Sequence, residues 1–586
     1  MINRLLFVLI SIAVVMPSWA QLSIGGTPLV YDKRTKTYML TVPEDVFGAS
    51  YHNTVVPDAG VTNVTIDGKA VTNEVDFPVI DGNVNYNISF RKSGSLVKST
   101  LHFTYLPIMI LTGSFSDQYV NLPVQLIFPG TGEVLDYKAR IKHAGASTNT
   151  QWVHKNNLHV KFVDDEGEKM DVSFFGLRND NHWRLDAGTR DMIRFRNYVA
   201  SGLWADFGTK SYYADLQPNA RSYIRGSHVE VFVNGNYNGF YNFSEFLDRK
   251  QLKLKKYTEQ EIVPDDGDAQ SSVELHGMLW KANDDTEQTL FAQFNDTCDN
   301  TLDEWKGFAL VYPDIDDVCP TDYSLIRNAV KFVSESDDET FLNEAADYFD
   351  LPVMADYMVF LNVVFGIDNV CNNMVFACYD TAKDKKLTFA AWDLDATVGQ
   401  HYTDIDGYYH ADVIQADREL DSVPTEMCLI TLSRLFNRVR ALPGFHDTVV
   451  RRYWELRQTI LHPDSLVARY AAVYHRLEAC GALAREEVRW SDTGDIAHRM
   501  LDFSDEFDYL CGWLRKRIPF LDNNTFATVT GDVNGDGLVD VADVAMLISY
   551  VLGNDVALCT GSVDLNADEV IDVADITLLI QRILND

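Results

Sequence analysis

The chain of 586 residues has eight cysteines and no Cys-x-x-Cys pair, which argues against a zinc site built on thiolate pairs. Long apolar runs are also scarce. The one clear example, Leu5–Met16, is too short to span a bilayer as a helix. It follows the basic start Met1–Arg4 and ends at Pro17, Ser18 and Ala20, so residues 1–20 read as a cleaved export signal. No further run suggests a transmembrane segment. Basic residues are few as well: 50 Lys and Arg stand against 85 Asp and Glu, a formal net charge of −35. That balance argues against nucleic acid or an anionic membrane surface as partner. Export permits disulfides, and Cys298 and Cys319, which bracket an acidic loop, are the first pair expected to bridge.

What is present divides the chain into textures. Residues 21–105 alternate apolar and polar in stretches such as Tyr38–Val42 and Val84–Phe90, separated by turns such as Asp81-Gly82. A small β-sandwich follows from that pattern. Residues 106–260 mix strands and helices, with a hairpin expected at Val229–Val233, Asn234-Gly235 and Gly239–Phe243. Residues 262–320 are acidic and without a strong period, and read as a long excursion or lid. From Leu351 to about Ile518 the reading is mostly helical. Asn and Thr near 523 read as a short linker.

After that linker a unit repeats. Asp532, Asn534, Asp536, Leu538, Asp540 and Asp543 occupy loop positions 1, 3, 5, 7, 9 and 12. Asp564, Asn566, Asp568, Val570, Asp572 and Asp575 do the same 32 residues later. Position 7 contributes a backbone carbonyl and the others side-chain oxygens, the hard-ligand set of an EF-hand calcium loop. One amphipathic helix follows each loop. Two such units in register resemble type I dockerin repeats, and this resemblance implies two Ca²⁺ sites and a cohesin-like protein partner. Glu569 stands where the sharp turn prefers Gly, so the second site is expected to be the weaker.

A second constellation lies in the body. The helix Leu351–Ile367 leads to Asp368 and, five residues on, Asn373; a hairpin follows, and then Trp392-Asp393-Leu-Asp395 with Gly399. A loop bearing Asp and Asn, a hairpin and an Asp-bearing turn is the order of a protein kinase's catalytic loop and metal-binding Asp. Neither His-Arg-Asp nor Asp-Phe-Gly stands at these positions. The setting is completed by Arg140-Ile-Lys-His-Ala-Gly145-Ala-Ser147-Thr148, by Lys155 through Lys161-Phe162, by Asp191 and Arg196-Asn197, and by Asn234-Gly235-Asn-Tyr237-Asn-Gly239-Phe-Tyr241 with Glu245. Together these resemble the spore-coat CotH kinase family over roughly residues 106–450.

That resemblance implies a role for each matching residue. Lys161 would contact ATP phosphates, with Lys155 as its rival, and Glu245 would pair with Lys161. Gly145, Ser147 and Thr148 would lie over the phosphates. Asp368 would be the catalytic base, Asn373 a metal ligand and Asp393 the main ligand of Mg²⁺ or Mn²⁺. Asp395 would be a second ligand or would exchange roles with Asp368. The sequence departs from the family at His143-Ala144-Gly145, where Arg-Gly is common, and at Ala391, where Pro is common.

The fold class expected is therefore α+β and multidomain. A signal (1–20) precedes a β-sandwich-like domain (21–105), an atypical kinase-like body with a helical C-terminal part (106–522), and an all-α calcium-binding dockerin (523–586). Two functions fit: a secreted kinase phosphorylating Ser or Thr of extracellular or surface proteins, or a catalytically silent kinase-like scaffold assembled through its dockerin. The destination expected is the periplasm, the cell surface or the medium.

Overall fold

The computed structural model describes residues 21–145, 148–149, 153–262, 270–314, 322–405, 408–420, 432–491 and 501–585, apart from 536, 555, 557, 560–562, 567 and 569. The export signal, Ser147, Asp536, Glu569 and Cys319 therefore lie outside the described residues. Two compact units interleave along the chain. The first joins residues 1–187, 227–243 and 474–493; the second joins 188–226, 244–473 and 494–586.

In the first unit, residues 22–104 form two sheets. One has four strands in the order Thr27–Pro28, Leu22–Ile24, Tyr51–Pro57, Glu74–Phe77. The other has six, in the order Val30–Asp32, Thr37–Thr41, Ser95–Thr104, Tyr86–Lys92, Val61–Ile66, Lys69–Ala70. Alternation drives the burial. In Tyr86–Lys92, Tyr86, Ile88 and Phe90 turn inward while Asn87 and Arg91 face water. Leu22, Leu40, Val55, Phe77 and Phe103 meet them in one shared core.

The chain then closes a barrel. Its neighbours in order are Ile108–Leu111, Val120–Ile127, Val134–Ala144, Asn157–Val163, His182–Asp186, Asn236–Ser244 and Gly226–Val233. Closure leaves no open edge. Ile141, Val160, Phe162, Trp183, Val231 and Phe243 fill the interior, and Trp183 stacks on Phe243 with centroids 4.8 Å apart.

The second unit is built on a five-stranded antiparallel sheet: Glu304–Trp305, Phe308–Tyr312, Met278–Ala282, Met374–Cys378, Thr388–Ala391. Three of these strands come from the acidic stretch that reads as an excursion or lid. The sequence period failed there because the strands are two to five residues long, too short to show alternation. Their anchors, Trp280, Trp305 and Phe308, are buried. The helix Leu351–Val364 is buried from Val353 to Val364, and the helices Phe445–Arg457 and Phe503–Asn523 pack with it. Cys298 carries a free thiol close to Asn300.

The linker expected near residue 523 is anchored rather than loose. Phe526 is 2% exposed and stacks on Tyr453 at 4.2 Å. Its carbonyl accepts from Trp454 Nε1 at 2.9 Å, and Thr525 Oγ1 donates to Glu419 at 2.6 Å. Beyond it the helices Val541–Val551 and Val573–Asn585 share a small core of Val533, Leu547, Leu558, Val563 and Leu579. Among the described residues, no helix is long and apolar enough to cross a membrane.

Candidate functional site

The site in the second unit begins where the helix Leu351–Val364 stops. Phe365 takes a left-handed conformation (φ 56°) and turns the chain out of the helix. A single turn, Ile367–Asn369, carries Asp368. Asn369 clips this turn in place: its carbonyl accepts from Tyr357 OH, and its Nδ2 donates to Trp392 O, both at 2.7 Å. The hairpin then pairs Met374 with Ala391. Asn373 and Asp393, far apart in sequence, therefore flank the same end of one β-ladder. Both are left-handed, at φ 53° and 55°, a conformation that Asn and Asp tolerate better than most residues.

The carboxylate of Asp368 is oriented from both sides. Oδ1 accepts from Asn372 Nδ2 at 3.0 Å and Oδ2 from Asn373 Nδ2 at 2.7 Å. Burial pushes its pKa above the usual carboxylate range. The amide of Asn372 draws it back, the negative charge of Asp393 pushes it up again, and Asn373 and Lys281 pull it down. Asp393 and Asp395 are partly exposed.

The turn from Asp393 to Gln400 is held from behind. Leu394 N donates to Asn197 Oδ1 at 3.1 Å, and Gln400 Nε2 donates to Asp395 O at 3.1 Å. Gln400 Oε1 accepts from Met192 N at 3.0 Å and Arg196 Nη1 at 3.3 Å. Arg196 is fully buried between Asp191 at 2.6 Å and Glu506 at 2.5 Å. Two buried carboxylates satisfy one guanidinium, which keeps its proton firmly. Val398 is left-handed (φ 48°), strained for a β-branched residue. Gly399 (φ 83°) approaches Trp513 and Tyr509 so closely that a Cβ would lie 2.8 Å from each.

The family model described as CotH kinase protein matches residues 141–521, well over half of the chain. The chain belongs to the CotH kinase protein family. The model described as Dockerin type I domain matches residues 530–584, so this CotH family member ends in a type I dockerin. No curated protein matches the chain.

The remaining expected residues of this CotH protein fall in both units. Glu245, fully buried, accepts from Arg225 Nη2 at 2.8 Å and Gln251 Nε2 at 3.0 Å, with Arg221 at 3.5 Å. Lys161 lies in the first unit, on the barrel strand Asn157–Val163, with Nζ 4.8 Å from the centroid of Tyr119. Lys155, its rival, is fully buried. It pairs with Glu486 at 2.8 Å and also donates to Phe240 O and Ala187 O. Gly239 makes room for that pair, because a Cβ there would come 2.1 Å from Glu486 Oε2. Gly145 is left-handed (φ 89°), with the Thr148 hydroxyl 2.2 Å from where its Cβ would be.

The dockerin loops curl around their own carboxylates. Asp532 accepts from Gly535 N at 2.8 Å and Gly537 N at 2.9 Å. Asp543, fully buried, accepts from Val533, Asn534 and Asp540 N–H groups. Asp575 repeats this with Leu565 N and Asp572 N. Asp540 and Asp572 accept from Ala542 N and Ala574 N at the starts of the two helices. Asp564 and Asn566 accept from Asp568 N, and Asp568 accepts from Val570 N. Leu538, Val541, Ile548 and Leu552 are exposed, as are Val570, Val573, Ile580 and Leu584 in the second repeat.

Sequence reasoning gave no role to Asn369, Asn372, Gln400, Lys281 or the Arg196 network, nor to the partnership of Lys155 with Glu486. Arg196-Asn197 and Asp191 were visible as family positions. Their contacts join residues up to 310 positions apart, beyond the reach of any local spacing.

Proposed function

We propose that this protein is a secreted protein kinase that transfers phosphate from ATP to Ser or Thr of extracellular or surface proteins. Its dockerin would hold it to a cohesin-like partner in a calcium-dependent way. The observation that carries this reading is the convergence of Asp368, Asn373 and Asp393 at one end of the hairpin. Asp368 is partly exposed, fixed by two amides, and raised in pKa by burial and by the neighbouring Asp393. Such a carboxylate suits a base that orients a hydroxyl and takes its proton.

The donor set also suits a hard divalent cation. Two neighbouring carboxylates and an amide oxygen are typical Mg²⁺ ligands, and the buried Oδ1 of Asn369, the residue after Asp368, has no hydrogen-bond partner. Asp393 and Asn373 would hold Mg²⁺ or Mn²⁺, with Asp395 adding a ligand. When bound, the ion neutralises charge on the transferred phosphate. Asp368 holds the acceptor hydroxyl; the hydroxyl oxygen forms the new bond to the γ-phosphorus, the bond to the β–γ bridging oxygen breaks, and the proton passes to Asp368. Lys161, with Gly145, Ser147 and Thr148, would meet phosphate oxygens. The paired apolar positions on the two dockerin helices fit a protein partner, and residues 1–20 fit export.

Autophosphorylation with labelled ATP and Mg²⁺ or Mn²⁺ tests the reading. Metal-dependent label is expected, reduced about 10²–10⁴-fold or more in Asp393→Ala and in Asp368→Asn. A folded protein that neither binds ATP nor takes label would overturn it and leave a silent kinase-like scaffold.

A further inference from the structure

A cavity of about 380 Å³ opens within the first unit. Its walls come from three stretches of that unit. Met39 and His102, registered partners on adjacent strands, come from the N-terminal sheets. Phe232 and Tyr237 come from the barrel hairpin, with ring centroids 5.5 Å apart. Ala484, Arg485 and Val488 come from the helix Ala482–Trp490. Met39, Phe232 and Tyr237 are buried, whereas Val488 is 71% exposed and Ala484 is exposed too. An apolar wall behind an open rim is the usual form of a small-molecule site.

Arg485 supplies the charged part of the lining. Its Nη2 donates to Glu230 and to Cys480 O, the latter at 2.8 Å. Its Nε and Nη1 are buried and meet no acceptor among the described residues. Leaving a buried donor of a charged group unmade is costly, and native folds rarely do so. Neighbouring carboxylates have little capacity left for it. Each oxygen of Asp32 already accepts twice, one from Arg34 N and Tyr237 N, the other from Thr35 N and Oγ1. Glu230 also accepts from Tyr237 OH at 2.5 Å and Thr104 Oγ1 at 3.2 Å. Cations outnumber anions here. Arg34, exposed at the rim, and Arg489 join Arg485 against Asp32 and Glu230, while Glu486 is matched by Lys155. Burial, and then the charge of Arg34, lower the pKa of Arg489. Burial, and then Arg485, hold the imidazole of His102 down at about 4, against the opposing pull of Glu230 and Asp32.

We infer that this cavity is a binding site for a small monocarboxylate with an apolar body, the carboxylate accepting from the Arg485 guanidinium and the body lying against Met39, Phe232 and Tyr237. Every residue it uses belongs to the first unit, whereas Asp368, Asn373 and Asp393 belong to the second. The inference therefore does not rest on the kinase reading. An aliphatic acid and an aromatic acid share the chemistry it requires.

Titration calorimetry of the full chain tests it, with octanoate in one arm and 3-phenylpropanoate in the other, each beside the alcohol of the same skeleton. At least one acid should bind wild type, about 10-fold or more tighter than its alcohol, since a hydrogen bond to a charged group is worth that much. The acid that binds more tightly identifies the body as aliphatic or aromatic. Arg485→Lys keeps a cation against Glu230 but removes the guanidinium donors. It should weaken the acid about 10-fold and leave the alcohol unchanged. Ala484→Trp, at an exposed position of the rim, should block acid and alcohol together. If Arg485→Lys melts early, Val488→Glu serves the same comparison from the rim, repelling the acid and sparing the alcohol. Failure of both acids to bind overturns the inference. So does an alcohol that binds as tightly as its acid, or an acid that binds Ala484→Trp as it binds wild type.

Discussion

The dockerin loops and the Asp368–Asp393 site both gather carboxylates, but they do so over different distances. In the dockerin, Asp543 is satisfied by N–H groups no more than ten positions away. Each loop folds on itself, and the helix after it starts on Asp540 or Asp572. In the body, Asp368 depends on a hairpin to meet Asp393, and the Asp393 turn depends on Arg196, Asp191, Gln400 and Glu506. The lesson is that a calcium-loop pattern can be written in twelve consecutive residues, whereas the Asp368–Asp393 site needs a folded unit to assemble it.

That contrast can be broken most severely at Arg196. Arg196→Ala leaves Asp191 and Glu506 buried without their shared cation, and should cost about 3–5 kcal/mol in denaturant unfolding. Kinase label should fall with it. Destabilisation under about 1 kcal/mol would show that the turn does not rely on the network. Next in size is Gly239→Ala, which drives a methyl toward Glu486 and should cost about 1–3 kcal/mol. A cost under about 0.5 kcal/mol would show that the Lys155–Glu486 pair yields to the methyl.

The local side of the comparison predicts smaller, contained effects. Asp540→Ala should disable one calcium site and weaken the start of its helix by about 0.5–2 kcal/mol. Calcium titration should then report one fewer site, with the second loop still binding. Loss of both sites would mean the loops act as a unit. The smallest effect expected is between the two intact loops: with Glu569 at its turn, the second loop should fill at higher calcium than the first. Comparing Asp532→Ala with Asp564→Ala by calcium titration would check the order, and a tighter second site would refute it.

Much was legible in advance. The N-terminal alternation showed in Val84–Phe90, where the strand runs Tyr86–Lys92, the hairpin in Asn234-Gly235, and the core of the site in the order of Asp368, Asn373 and Asp393. The acidic stretch was misread, because Glu304–Trp305 and Phe308–Tyr312 are strands too short to carry a period. The short linker near 523 falls between the two matched family regions, but its anchoring through Phe526 on Tyr453 could not be read, because one residue leaves no pattern.

The sequence by itself determined what is local: the two calcium loops, their helices, the strand alternation and the identities of the Asp and Asn residues. These follow from side chain and backbone meeting within a few positions. Tertiary structure alone decided that Lys155 is buried against Glu486, that Glu245 sits among arginines, and that Arg485 meets Glu230. Strand register and barrel closure set those neighbours, and register is fixed by the packing of the whole core.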